Sequence, residues 1–133
     1  AQSKLANLMF AIELDRKLQA RGSTTRSLAA HPGMSRTKLG RHFPLGNLLF
    51  TFTQTPKKGA LPTLRAATDP EATQYPYWGP RGIMEAIGYP KKASIKKKAK
   101  DQNLANQFWK ESENLTKTNF PEASGSSKIG AER

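Results

Sequence analysis

The chain has 133 residues, 36% of them hydrophobic and 24% charged, with a net charge of +12. Cysteine is absent, which excludes disulfides, thiolate chemistry and cysteine-ligated metals; the two histidines, His31 and His42, have no carboxylate cluster beside them, so a metal centre is not expected. No apolar run reaches the length of a membrane span, and the basic balance raises nucleic acid or an acidic partner as one class of ligand.

The length suits one domain with a modest core. No basic start followed by an apolar stretch marks a signal peptide. The chain also lacks an initiator Met, and the expectation is a cytoplasmic protein whose true N-terminus is missing or processed.

Residues 2–20 read as a helix, with Leu5, Leu8, Met9 and Ile12 on one stripe and Leu18 extending it. Gly22 suits the left-handed residue that ends such a helix. Residues 23–30 read as a short strand with the apolar end Leu28-Ala29-Ala30, broken at once by His31-Pro32-Gly33. A helix, a strand and a turn at the strand's C-terminal edge form half of a βαβ repeat, the edge at which open α/β sheets bind ligands.

Polar residues 35–42 lead into an apolar stretch, 45–52, expected as a mobile segment and a short helix. Thr55-Pro56 opens the next helix as N-cap and first residue; it ends before Asp69-Pro70, with Pro62 an uncomfortable interior residue that predicts a kink or a late start. Residues 71–90 carry Tyr75, Tyr77, Trp78 and Tyr89 among Gly and Pro, which predicts a short strand near Tyr77 and tight turns. Lys91, Lys92, Lys96, Lys97, Lys98 and Lys100 follow as a solvated loop. A last helix begins at the cap Asp101, with Leu104, Phe108 and Leu115 on its inner face; residues 117–133 are Gly/Ser-rich and read as a disordered tail.

Two phrases carry a resemblance. Gln2-Ser3-Lys4-Leu5-Ala6-Asn7-Leu8-Met9-Phe10, followed at a family-like distance by His31-Pro32-Gly33-Met34-Ser35-Arg36-Thr37, resembles the second half of a short-chain dehydrogenase/reductase, in its retinol-dehydrogenase-like and protochlorophyllide-reductase-like branch. The likeness covers residues 1–116. It implies an α/β fold: the C-terminal half of a Rossmann-type doubly wound parallel sheet, incomplete and helix-rich as it stands. No glycine-rich cofactor turn is present, nor a counterpart of the family's upstream Ser and Asn, and the family's Tyr would fall just before Ala1.

The resemblance implies an oxidoreductase moving a hydride between NAD or NADP and an apolar alcohol or carbonyl, an activity of the intact parent rather than of these 133 residues by themselves. Lys4 then becomes the catalytic and cofactor-binding lysine, one helical turn after the Tyr whose phenol pKa it lowers. Pro32 and Gly33 pass close to the nicotinamide, while backbone groups near Ser35 meet its carboxamide and the Thr37 hydroxyl meets the carboxamide or a phosphate. Phe43, Leu45 and Leu49, with Leu48, Phe50 and Phe52, are either an apolar lid over the substrate or core of a short helix. His31 is expected to be structural. The implied partners are a small-molecule alcohol or carbonyl and a second copy of the intact protein, with no nucleic acid and no membrane span. A different class of reading is a small basic protein binding nucleic acid or acidic partners through its lysine run.

Overall fold

The computed structural model describes residues 2–35 and 53–121. Helix α1 is Gln2–Ala20, strand β1 is Ala29–Ala30, and helix α2 is Pro56–Thr68. Strands β2, Tyr77–Pro80, and β3, Pro90–Lys92, follow before helix α3, Gln102–Thr116. The sheet order is β1-β2-β3. β1 runs parallel to β2, pairing Ala29 with Tyr77 and Ala30 with Trp78, and β3 returns antiparallel. A parallel pair needs a crossover connection, and α2 lies within it, packed on both strands. This is an α/β arrangement of the expected incomplete kind.

α1 closes as the sequence predicts. Gly22 sits at φ +69, the Gly22 N–H bonds the Gln19 carbonyl at 2.9 Å, and the Ser23 N–H bonds the Leu18 carbonyl at 3.1 Å. These two bonds satisfy carbonyls that the last turn would otherwise leave bare. The reversal sends the chain back along α1. Asp15, 6% exposed, receives it: its carboxylate accepts two bonds from Arg26, at 2.9 and 2.8 Å, and one from the Ser27 N–H at 2.8 Å. That clamp explains why the expected strand over residues 23–30 shrinks to Ala29–Ala30. The Ser27 amide is committed to a helix side chain and cannot join a ladder.

α2 begins as predicted, with Thr55 Oγ1 accepting from the Lys58 N–H and Pro56 in the first turn. Pro62 neither delays nor divides it; the helix is continuous from Pro56 to Thr68. An interior proline forfeits one backbone bond, at about 3 kcal/mol. Here Pro62 is fully buried, on the same face as buried Gly59, so packing offsets the loss. Arg65 ties this helix to the sheet. Its guanidinium lies 4.4 Å from the Trp78 ring, pairs with Asp69 at 3.0 Å and donates to the Pro90 carbonyl at 3.2 Å.

α3 starts at the Asp101 cap, which accepts from the amides of Asn103 and Leu104. Its inner face differs from the expected one. Ala105 and Trp109 are buried, with Phe108 partly so, whereas Leu104 and Leu115 are exposed. The reason is aromatic: Trp109 stacks on Phe10 of α1 with centroids 5.0 Å apart, which turns the helix to that face. Met9, Ala99 and Ala105 form the core between α1 and α3. The lysine run is solvated as expected but is not a plain loop. Lys91 and Lys92 belong to β3, and Lys97–Lys100 form a 3-10 turn that buries Ala99. After Lys117 the chain folds back, so that Phe120 meets Trp109 edge-on at 5.7 Å. Residues 122–133, the rest of the expected tail, lie outside the described residues, as do residues 36–52.

Candidate active site

The chain leaves β1 through His31-Pro32-Gly33, and every step of that turn is tied down. The His31 N–H bonds the Trp78 carbonyl at 2.9 Å, extending the parallel pairing by one residue. Gly33 sits at φ +65, and a Cβ there would collide with the Ala86 carbonyl and the Pro80 ring. Glycine is therefore required both for the left-handed backbone and for the close approach. The Met34 N–H bonds the Ala86 carbonyl at 2.7 Å. Ser35 Oγ donates to the Pro32 carbonyl at 3.1 Å, and Gly59 of α2 leaves room for that hydroxyl.

Gln54 is the residue that sequence reasoning missed here. It is 6% exposed and reaches both sides of the turn. Its Nε2 donates to the Pro32 carbonyl at 2.6 Å, its Oε1 accepts from the Gly88 N–H at 3.0 Å, and its backbone N–H bonds the Met34 carbonyl at 2.9 Å. The Pro32 carbonyl is thus occupied from within, so Pro32 contributes shape to the site rather than an open acceptor.

Opposite the turn stands the tip of the β2–β3 hairpin. Arg81 and Gly82 donate backbone bonds to Tyr89 and Ile87, both at 2.8 Å, and the tip Ile83–Glu85 is a tight turn. Glu85 holds this tip in place. Its Oε2 lies 3.1 Å from His31 Nε2, and its Oε1 accepts from the Ser94 N–H at 2.7 Å. The Gly33 amide points at His31 Nδ1 at 3.3 Å, which assigns the proton to Nε2 and makes His31 the donor to Glu85. Burial pushes the Glu85 carboxyl up, but the bonds from Ser94 and His31 outweigh it and hold the group below its ordinary value. His31 also packs on Tyr77, at 5.2 Å, and its ring fills the place a Cβ would take at Gly79. His31 thus ties β1 to the hairpin tip. Among the described residues no group of side chains could hold a metal ion.

Between turn and tip lies a cavity of about 730 Å³, bounded by His31, Gly33 and Met34 on one side and by residues 82–87 on the other. That volume falls in the range of about 300–1,000 Å³ usual for small-molecule pockets. Of the predicted site residues, the turn brings Pro32, Gly33 and Ser35 together, and Gly33 lines the cavity. Lys4 is exposed near the start of α1 and makes no ion pair with another described residue. Thr37, Phe43, Leu45 and Leu49 lie outside the described residues. Trp78 is 3% exposed and donates its indole N–H to the Ala72 and Tyr75 carbonyls.

No protein-family model matches the chain. It is 36% identical to human "Retinol dehydrogenase 14" over 121 residues, which is 85% of this chain and 33% of that protein. It is 29% identical to a "Short chain dehydrogenase/reductase" of Macrophomina phaseolina, over 87% of this chain and 58% of the other. A crystal structure of an uncharacterised protein from Mycobacterium paratuberculosis superposes with a TM-score of 0.67 at 40% identity, over 90% of this chain and 39% of that one. The chain is related to the short-chain dehydrogenase/reductases. Its likeness is to their retinol-dehydrogenase branch, an oxidoreductase class acting on small molecules. It spans about a third of the length of the curated retinol dehydrogenases it matches. No helix among the described residues is long and apolar enough to cross a membrane.

Proposed function

We propose that this chain supplies the nicotinamide and substrate side of an NAD(P)-dependent oxidoreductase that interconverts an apolar alcohol and its carbonyl compound. In that reading it corresponds to the C-terminal part of the dehydrogenase domain. The observation that carries it is the built turn at Pro32-Gly33, opening on a cavity at the C-terminal edge of a parallel strand.

The level of Lys4 supports the same reading. Asp15 bonds the Ser27 amide, so those two residues are side by side on antiparallel segments. From Asp15 back to Lys4, α1 rises about 17 Å. From Ser27 forward to Gly33, extended chain covers up to about 20 Å. The two spans are of similar length, which supports a lysine and a turn at one level. An exposed ammonium, an apolar cavity of ring-accommodating size and a backbone turn stripped of a Cβ suit a nicotinamide riboside. When bound, such a cofactor supplies the hydride exchange.

The chain's own residues bind and orient. Lys4 holds a ribose hydroxyl and, in the whole protein, lowers the pKa of a Tyr one helical turn earlier, which exchanges the proton with the substrate oxygen. Gly33 lets the backbone approach the ring. Backbone groups near Ser35 are assigned to the carboxamide, the Thr37 hydroxyl to the carboxamide or a phosphate, and Phe43, Leu45 and Leu49 to the substrate. The apolar substrate class follows the name of the retinol dehydrogenase relative and the cavity's Met34, Ile83, Met84 and Ile87 lining. The test is Lys4→Ala in the full-length protein, assayed by NAD(P)H absorbance on a panel of alcohols and aldehydes. A loss of kcat/KM of about 100-fold or more is expected; unchanged turnover overturns the assigned role.

A further inference from the structure

Two large apolar side chains at the hairpin tip serve no packing purpose within the described residues. Ile83 is 87% exposed and Met84 94%. Their backbone is also unfavourable. Met84 and Glu85 take φ values of +54 and +57, the left-handed region in which a side-chain-bearing residue costs roughly 1–2 kcal/mol. A solvent loop would relax or carry glycine there. This one is pinned three times: by Glu85 to His31, by Glu85 to the Ser94 amide, and by the Met34–Ala86 backbone bond. Strain held against relaxation at the rim of a cavity is a mark of a working surface.

The pinning sets the tip over the same cavity that Gly33 and Met34 line. The two ionisable groups in that lining, His31 and Glu85, face each other, and what remains of the wall is largely aliphatic and thioether. We infer that Ile83 and Met84 are specificity-determining residues that receive the apolar tail of the substrate, opposite Met34, with Glu85 as the positioning residue that holds them there. This assignment rests on the proposed function and names which part of the substrate the tip recognises. A thioether and a branched alkyl chain suit a flexible hydrocarbon better than a polar or charged one.

The experiment compares 1-butanol and 1-decanol as substrates of the full-length protein. Met84→Ser and Ile83→Ser are exposed changes and should leave thermal unfolding unaltered. Each is expected to lower kcat/KM for 1-decanol by about 10-fold and for 1-butanol by less than about 2-fold, because only the longer chain reaches the tip. Glu85→Ala should reproduce that selective loss, and Glu85→Gln, which keeps an oxygen acceptor, should restore part of it. Equal effects on both alcohols, or none, overturn the inference while leaving the oxidoreductase reading in place.

A second readout needs no turnover. With methionine methyls labelled with carbon-13, adding 1-decanol should shift the Met34 and Met84 signals and leave that of core-buried Met9 unmoved. If neither alcohol is turned over, this titration decides the cavity: shifts at Met34 and Met84 support the apolar-tail site, and their absence overturns it.

Discussion

Replacing Asp15 by Asn tests the joint on which the geometry of the candidate site depends. Asp15 fixes α1 against the segment that leads into β1. The substitution keeps the shape, removes the charge and leaves one oxygen to serve donors that now share two. The Asp15 side chain is 8% exposed and its partner Arg26 29%. Breaking a fully buried pair costs about 3–5 kcal/mol, but Arg26 is open enough to regain water, so a loss of about 2–3 kcal/mol is expected. At an m-value near 2 kcal/mol per molar urea, the unfolding midpoint falls by about 1 M with m unchanged.

The pH dependence gives a stricter check. Burial pushes the Asp15 carboxyl up, but Arg26, the Ser27 amide and Gln19 together hold it below its ordinary value of 3.8. A depressed carboxyl stabilises the fold above its unfolded pKa and loses that contribution as pH falls through the folded value. The gap between wild type and Asp15→Asn should be full at pH 7 and shrink below about pH 4. A gap under about 0.5 kcal/mol, or one that does not change with pH, would refute this account of the clamp.

Three further outcomes are expected. Gly33→Ala should lower Tm by about 10 °C in calorimetry, since its Cβ meets the Ala86 carbonyl in a backbone region already unfavourable for alanine. Glu85→Ala should destabilise by about 1–2 kcal/mol in urea at pH 7, because it removes the acceptor for Ser94 and His31; the difference should fade in acid, as the Glu85 carboxyl is likewise depressed. Trp109→Ala should cost about 3–5 kcal/mol whereas Leu115→Ala stays within about 0.5 kcal/mol, which separates the observed inner face of α3 from the one the leucine spacing implies.

Helix boundaries were legible because their signals are local. Gly22, Thr55-Pro56 and Asp101 act on backbone groups within a few residues, and all three sit where their chemistry places them. The turn at Pro32-Gly33 was legible for the same reason. What the sequence hides is tertiary. Gln54 and Glu85 look like ordinary loop polars, yet both lock the site through partners 22 to 54 positions away in the chain. Nothing in the local pattern around Ser27 says that its amide serves Asp15 rather than a neighbouring strand. Leucine spacing on α3 likewise yields to one aromatic stack, because a Trp-Phe contact buries more surface than either leucine offers. The exposed pair at the hairpin tip has no periodicity to read; it is visible only once the cavity beside it is known.

The most direct measurement is a crystal structure of the full-length protein with NAD(H) or NADP(H) bound. The nicotinamide ring should lie between the Lys4 ammonium and the Pro32-Gly33 backbone, with its open face toward Met34 and the hairpin tip. A ring bound elsewhere, with Lys4 and Gly33 on separate surfaces, would contradict the account.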